Sequence, residues 1–321
     1  MDDVAQLSAE LVVDSSVPST PRLSPDGRWV VFVVAPVGQS GELPDSALWI
    51  AAADGSEPPR RLTTGPAENS APRWAPDSGT IYFLSDLPER GTAQLHRIRP
   101  TGGAAEALTT WTGGIRGHLP LADPDLVALV AADEPTAQDE RRARDRDDAR
   151  VWGERVRRSR LRLLDLRTRE ITTPHALQAR HVVEVVQRPG GGPLALLTWP
   201  TPDPDPGLLE PALHLLDLDT GVPQDLGPAE VEASSLVSWP APDGWHLAYL
   251  AMTPPGLFGG DAVVEIGLGD RAATVVLGCA GDVTPGVVVR PLDPPVEVPG
   301  HLLVARSGGQ DCLGALVSAF A

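Results

Sequence analysis

A seven-residue turn and a strand ending recur in the same order, and this most narrows what the chain can fold into. Pro21-Arg22-Leu23-Ser24-Pro25-Asp26-Gly27 returns as Pro72-Arg73-Trp74-Ala75-Pro76-Asp77-Ser78. Arg60-Arg61-Leu62-Thr63-Thr64 returns as Glu106-Ala107-Leu108-Thr109-Thr110. The aspartates of the two turns, Asp26 and Asp77, lie 51 positions apart. Two signals in register at that spacing indicate one structural unit laid down repeatedly.

The chemistry of the turn is local. Proline presets φ for the first central position, aspartate accepts from nearby backbone N–H groups, and glycine tolerates a left-handed exit. Strand candidates follow each turn. In the second copy these are Thr80–Ser85, Gln94–Arg99 and a short strand over Glu106–Thr109, so that residues 69–110 read as a four-strand meander. The first copy offers Trp29–Val34, Leu48–Ala51 and Arg60–Thr64. In the third, Leu126–Ala131 and Leu161–Leu166 flank a charged run, Asp133–Arg160, where Glu140 and Arg144 at i,i+4 would support a solvated helix.

The fourth copy offers Val182–Val186, Leu194–Trp199 and Ala212–Leu218. Here Leu216-Asp217-Leu218-Asp219-Thr220 repeats Leu164-Asp165-Leu166-Arg167-Thr168 after 52 residues. The fifth starts at Ser238-Trp239-Pro240-Ala241-Pro242-Asp243-Gly244, with strands over Trp245–Ala251, Asp261–Ile266 and Ala273–Leu277. Strands over Gly286–Arg290 and His301–Ala305 suggest most of a sixth.

A four-strand sheet cannot bury both faces alone, and packing against like neighbours solves this. The 32 glycines and 34 prolines, about a fifth of the chain, favour turns over long helices. The expected fold is therefore all-β: a β-propeller of four-stranded antiparallel blades. Five to six blades are visible, as in an incomplete seven-bladed propeller. A sandwich of short strands is the rival, and it does not explain signals repeating in register. Residues 1–17 are read as an N-terminal arm or short helix, and 18–321 as the propeller. Its blades fall near 18–66, 67–112, 113–175 with the charged insertion 133–160, 176–228, 229–280 and, in part, 281–321.

The formal charge of −17 repels nucleic-acid backbones, so no nucleic-acid partner is expected. All 26 basic residues are arginines. Two cysteines, Cys279 and Cys312, exclude a disulfide framework and suggest a reducing compartment. Asp2 and Asp3 argue against a signal peptide, and no run of 18 apolar residues offers a membrane span. The cytoplasm is the expected location, with no membrane partner.

Candidate chemistry is sparse. Ser24, Ser78 and Ser238, with Asp26, Asp77 and Asp243, repeat with the blade period and read as turn formers rather than a nucleophile or paired acids. The histidines, His96, His118, His175, His181, His214, His246 and His301, show no metal-ligand spacing. Cys312 lacks a nucleophile motif. The glycine runs 101–103 and 190–192 lack the Gly-Lys-Ser/Thr of a phosphate loop and read as hairpin turns. Trp49, Trp74, Trp199, Trp239 and Trp245 are expected in blade cores. Trp111 and Trp152, in loop contexts, are candidates to line a partner-contacting face. No catalytic, cofactor-binding or metal-binding residue is assigned, and no cofactor is expected.

Ser24-Pro25-Asp26-Gly27-Arg28 with Val30 and Phe32, and Ala71–Ser78, are similar to the TolB-type propeller repeat. Arg73–Asp86 and the charged insertion with Asp145–Trp152 resemble more closely the N-terminal propeller of prolyl-oligopeptidase-like serine peptidases, especially the acylaminoacyl-peptidase and dipeptidyl-peptidase group. The resemblance extends over about residues 18–175. It implies a propeller that precedes an α/β-hydrolase domain and restricts it to short peptides. That domain bears a Ser-Asp-His triad whose serine sits in a G-x-S-x-G elbow. No such elbow occurs here, so no triad residue is placed on this sequence, and the hydrolase domain is expected in cis or in trans. A stand-alone protein-binding propeller is the alternative, although TolB itself is periplasmic and would want a signal peptide. A propeller enzyme with its own pocket, such as a lyase, finds no supporting constellation.

Overall fold

Residues 12–38, 43–147, 157–188, 190–241, 244–253, 260–268, 273–277, 290–291, 296–298, 301–308 and 311–318 are described by the structure, a computed structural model. They divide between two compact units. One comprises residues 1–135 and 163–171, the other residues 136–162 and 172–321.

Five sheets share one topology, an antiparallel meander of four strands in chain order. The first has β1 (Ser16–Leu23), β2 (Trp29–Pro36), β3 (Ala47–Ala52) and β4 (Arg60–Arg61). The second has β5 (Asn69–Trp74), β6 (Ile81–Ser85), β7 (Gln94–Ile98) and β8 (Glu106–Ala107). The third has β9 (Ile115–Pro120), β10 (Leu126–Ala132), β11 (Ser159–Asp165) and β12 (Ile171–Thr172). The fourth has β13 (His181–Gln187), β14 (Leu194–Trp199), β15 (Ala212–Leu216) and β16 (Pro223–Pro228). The fifth has β17 (Ser234–Ala241), β18 (Gly244–Thr253), β19 (Gly260–Gly267) and β20 (Ala273–Leu277).

A sixth sheet departs from this plan. β21 (Arg290–Pro291) and β22 (Val296–Val298) both pair with β23 (His301–Gly308), whose other neighbour is β24 (Asp311–Ser318). β21 and β22 meet different stretches of the same strand, so they form one interrupted edge. Cys312 lies within β24, opposite Ser307. Helix α1 (Ala137–Asp145) lies in the charged run, and the single turn α2 (Pro204–Gly207) precedes β15.

Within each unit neighbouring sheets pack face to face, and sequence periodicity reflects this. All five residues of β6 are buried. Ile81 and Phe83 pack with Val31, Leu48, Ile50 and Trp74. Tyr82 and Leu84 point the other way, among Leu95, Leu108, Val127, Leu129 and Leu164. A strand buried on both faces has no reason to alternate, hence the continuous Ile-Tyr-Phe-Leu run. Each such side chain contributes about 1.5–3 kcal/mol by burial. In the second unit Leu197, Leu213, Leu247, Tyr249 and Val264 form the corresponding core.

The recurring strand ending has a specific task. The fourth strands of the first three sheets are only two residues long, and the chain then bends away. Leu62 N–H still reaches the Leu48 carbonyl at 2.7 Å, and the Thr63 hydroxyl accepts the Leu48 N–H at 2.9 Å. Leu108, Leu95 and Thr109 repeat both bonds at the same distances. Threonine thus extends the ladder with its side chain and leaves no buried N–H unpaired.

A second repeated device is not visible as a motif. The first strand of each of the five meanders carries one extra residue, between Ser19 and Arg22, Ser70 and Arg73, Ile115 and Gly117, Val182 and Glu184, and Ser234 and Val237. Thr20, Ala71 and Ser235 take left-handed backbone there, with φ of 48°, 49° and 57°. Such bulges bend and twist a strand. They also break the alternation that marks strands in sequence, which explains why β1 and the start of β17 are not legible. Ser16 and Val17, read as part of an arm, belong to β1. Residues 1–11, Trp152, Asp243, Cys279 and 286–289 lie outside the described residues.

Candidate functional site

The repeated serines and aspartates form turns. The Ser24 hydroxyl donates to the Asp26 carboxylate and accepts the Trp29 N–H at 3.0 Å, while Asp26 also takes the Arg28 N–H at 3.1 Å. Hydrogen bonds from Ser24 and Arg28 hold the Asp26 carboxyl below its ordinary range. Ser78 takes the left-handed place of Gly27, with φ of 60° against 73°, and its hydroxyl accepts the Asp26 N–H at 3.1 Å, joining the turns of the first two sheets. Asp165 and Asp217 each accept two backbone N–H groups in the same way, at 2.7–3.0 Å. Ser238 is buried on β17.

The histidines are dispersed. His181 Nδ1 accepts the Ser159 N–H at 2.9 Å. His214 Nε2 lies 3.0 Å from the Thr198 hydroxyl. His246 pairs with Glu265 across β18 and β19. His175 contacts Gln178 at the surface. The His301 side chain is not among those described. His118 on β9 is buried, and burial pushes its pKa down to about 3, with Arg73 adding to the shift and a contact with the Tyr82 backbone opposing it. Among the described residues, no three His, Cys, Asp or Glu side chains converge as metal ligands would.

A cleft of 360 Å³ between the first two sheets is the candidate site. Leu62, Thr63, Asn69, Phe83, Pro88 and His96 contribute to its wall. His96 faces the Leu87 carbonyl through Nε2 at 3.1 Å, and burial lowers its pKa, so it is neutral at pH 7. The wall offers apolar contact and a neutral imidazole. It recurs at the next junction, where Leu108, Thr109, Trp111, Arg169 and Ile171 line 220 Å³. A cleft that returns with the repeat is a property of the sheet junction.

Trp111 is half-buried at that junction, in a loop, and lines the cleft there. Its indole N–H donates to the Ala132 carbonyl at 2.7 Å, and Gln94 accepts its backbone N–H and donates to its carbonyl, both at 2.8 Å. Trp74 does the equivalent between the first two sheets, donating to the Arg22 carbonyl at 2.9 Å. At the ends of the sheets, Asp86 closes a loop by accepting from Glu68 N, Gly91 N and Arg90 Nε at 2.8–2.9 Å. Arg90 also reaches Asp45 at 3.0 Å.

These repeated junctions invite comparison with known folds. Over 95% of this chain and 45% of the other, the structure resembles an acylaminoacyl peptidase of Pyrococcus horikoshii, with a TM-score of 0.58 at 14% identity. It likewise resembles TolB of Acinetobacter baumannii over 94% of this chain and 79% of that one, with a TM-score of 0.52 at 14% identity. The fold is a β-propeller. The propeller's sequence is 33% identical over 132 residues, 40% of its length, to an uncharacterized peptidase of Bacillus subtilis, YuxL. It spans about a fifth (19%) of that curated relative. No protein-family profile matches the propeller. Among the described residues, no helix is long and apolar enough to cross a membrane.

Proposed function

We propose that this propeller is the substrate-access domain of a cytoplasmic prolyl-oligopeptidase-type serine peptidase. It works beside an α/β-hydrolase domain, in cis or in trans, and admits short peptides to it. The single observation that carries this reading is the 33% identity to the peptidase YuxL, strengthened by likeness to the Pyrococcus peptidase across 95% of the chain. Ser24, Ser78, Asp26, Asp165 and Asp217 serve turns, and this reading assigns hydrolytic chemistry to the partner domain. Selection is by size, and a net charge of −17 draws peptides with basic or free amino ends.

The test pairs the chain with the α/β-hydrolase domain encoded with it. Cleavage of an aminoacyl-chromogenic dipeptide and of casein is compared for the hydrolase alone and with the propeller. Casein cleavage should fall while dipeptide cleavage persists. Failure to associate, or unchanged length selectivity, rejects the access role. Turnover of the chromogenic peptide by the repurified chain alone rejects the placing of chemistry elsewhere.

A second reading is a stand-alone protein-binding propeller, favoured by likeness to TolB over 79% of that protein's length. It predicts a stable protein complex that contains no hydrolase.

A further inference from the structure

Both sheet-junction clefts are lined by a Leu-Thr-Thr strand ending, yet their chemistry differs. The cleft between the second and third sheets takes Arg169 into its wall. Among the described residues lining the larger cleft, between the first and second sheets, none is charged. Phe83 of β6 and His96 of β7 are cross-strand partners there, with ring centroids 5.6 Å apart. Leu62 and Ile98 extend the apolar wall, and Gly103, Ala104 and Ala105 leave the space open. Its 360 Å³ falls within the about 300–1,000 Å³ of small-molecule sites, whereas the 220 Å³ of the next junction does not.

His96 supplies the polar anchor. Its Nε2 stands 3.1 Å from the Leu87 carbonyl. A carbonyl only accepts, so Nε2 carries the proton, and in the neutral ring Nδ1 keeps a lone pair. Among the described residues, no group donates to that nitrogen. The Asn69 amide, by contrast, is committed to the Ser46 and Ala67 carbonyls at 2.7 and 3.3 Å. An ion entering this wall would give up water for no counter-charge, which is costly. We propose that the cleft binds a small neutral aromatic molecule carrying one O–H or N–H donor, its ring against Phe83 and its donor on His96 Nδ1. The recurrence of the junction explains where the cleft lies, and the side chains explain what it holds. The inference is independent of the peptidase reading.

Titration of the isotope-labelled full chain, followed by NMR at the His96 ring nitrogens, tests it. Phenol should bind at about millimolar concentration, as so small a ligand can, and should move the Nδ1 resonance. Toluene, which has no donor, and benzoate, which is charged, should bind at least about tenfold more weakly than phenol and benzamide respectively. His96→Phe keeps a ring but removes the acceptor, and should erase the preference for phenol over toluene. Ala105→Trp, at an exposed position, should fill the cleft and abolish binding of both with unchanged circular dichroism. Benzoate held as tightly as benzamide, a phenol preference that survives His96→Phe, binding indifferent to Ala105→Trp, or no binding of phenol at millimolar concentration would each overturn the proposal. An Nδ1 resonance that phenol leaves in place overturns it too, whether or not the His96→Phe chain folds.

Discussion

The Glu184 carboxylate on β13 accepts the backbone N–H of Leu236 in the bulge of β17 at 2.7 Å, and that of Ser235 at 2.8 Å. A bulge frees N–H groups from the ladder, and a buried free N–H is costly. The corresponding second bulge positions in β1 and β5 are Pro21 and Pro72, which have no N–H to satisfy. One backbone requirement thus has two solutions: remove the donor, or bring a carboxylate from the neighbouring sheet.

Glu184→Ala should lower stability by about 2–4 kcal/mol, because hydrogen bonds to a charged acceptor are lost and two donors are stranded. Leu236 also packs in the core, so Leu236→Pro costs stability on its own. It should cost less in the Glu184→Ala background, where the N–H it removes is already unpaired. Urea midpoints of the four proteins measure the coupling. Strict additivity contradicts the assignment.

Acid should destabilise the fold well above the carboxylate range. Burial holds His118 at about 3, whereas the unfolded imidazole titrates near 6.5. Unfolding therefore takes up a proton between these values. Stability is full above about pH 6.5 and falls by up to about 1.4 kcal/mol per pH unit as pH drops toward 3. His96 and His214, also depressed by burial, act in the same direction. In His118→Phe, the pH dependence of the urea midpoint between pH 6.5 and 4 should lose about one proton's slope. An unchanged slope would show that His118 is not the group.

Thr63 and Thr109 should behave alike. Valine at either position removes the acceptor for a buried N–H, of Leu48 or Leu95, and should cost about 1–3 kcal/mol. Serine keeps the hydroxyl and should cost less than 1 kcal/mol or so. Thr109→Val should be the worse of the two, since its hydroxyl also donates to Gln94 at 2.8 Å. Thermal melts of the four variants decide the order.

Asp86 should govern the loop that follows it. Burial raises its carboxyl, but bonds from Gly91, Arg90 and Glu68 outweigh burial and leave it below the ordinary range. Asp86→Ala should free Arg90 and speed tryptic cleavage after that residue by an order of magnitude or so, the loop having lost its charged anchor. Cleavage at the native rate would assign the loop's order to other contacts.

The repeat itself was legible because its signals are local. Pro25-Asp26-Gly27 and Asp217–Gly221 bond to their own backbone, so residue type alone specifies the turn. β6 and β18 are dense enough in apolar residues to declare themselves as strands, and Glu140 and Arg144 marked the helix α1. What the residue order left open depends on neighbours far away in the chain. Glu184 is an ordinary glutamate until the β17 bulge, about fifty residues on, presents two N–H groups to it. Trp111 is a loop residue whose partners, Gln94 and the Ala132 carbonyl, lie 17 and 21 positions away. The bulged first strands are set by packing against the adjacent sheet, which overrides the alternation by which strands are read. Local hydrogen bonding wrote the punctuation of the blades, and burial between them, a property no single blade possesses, determined which polar groups became structural.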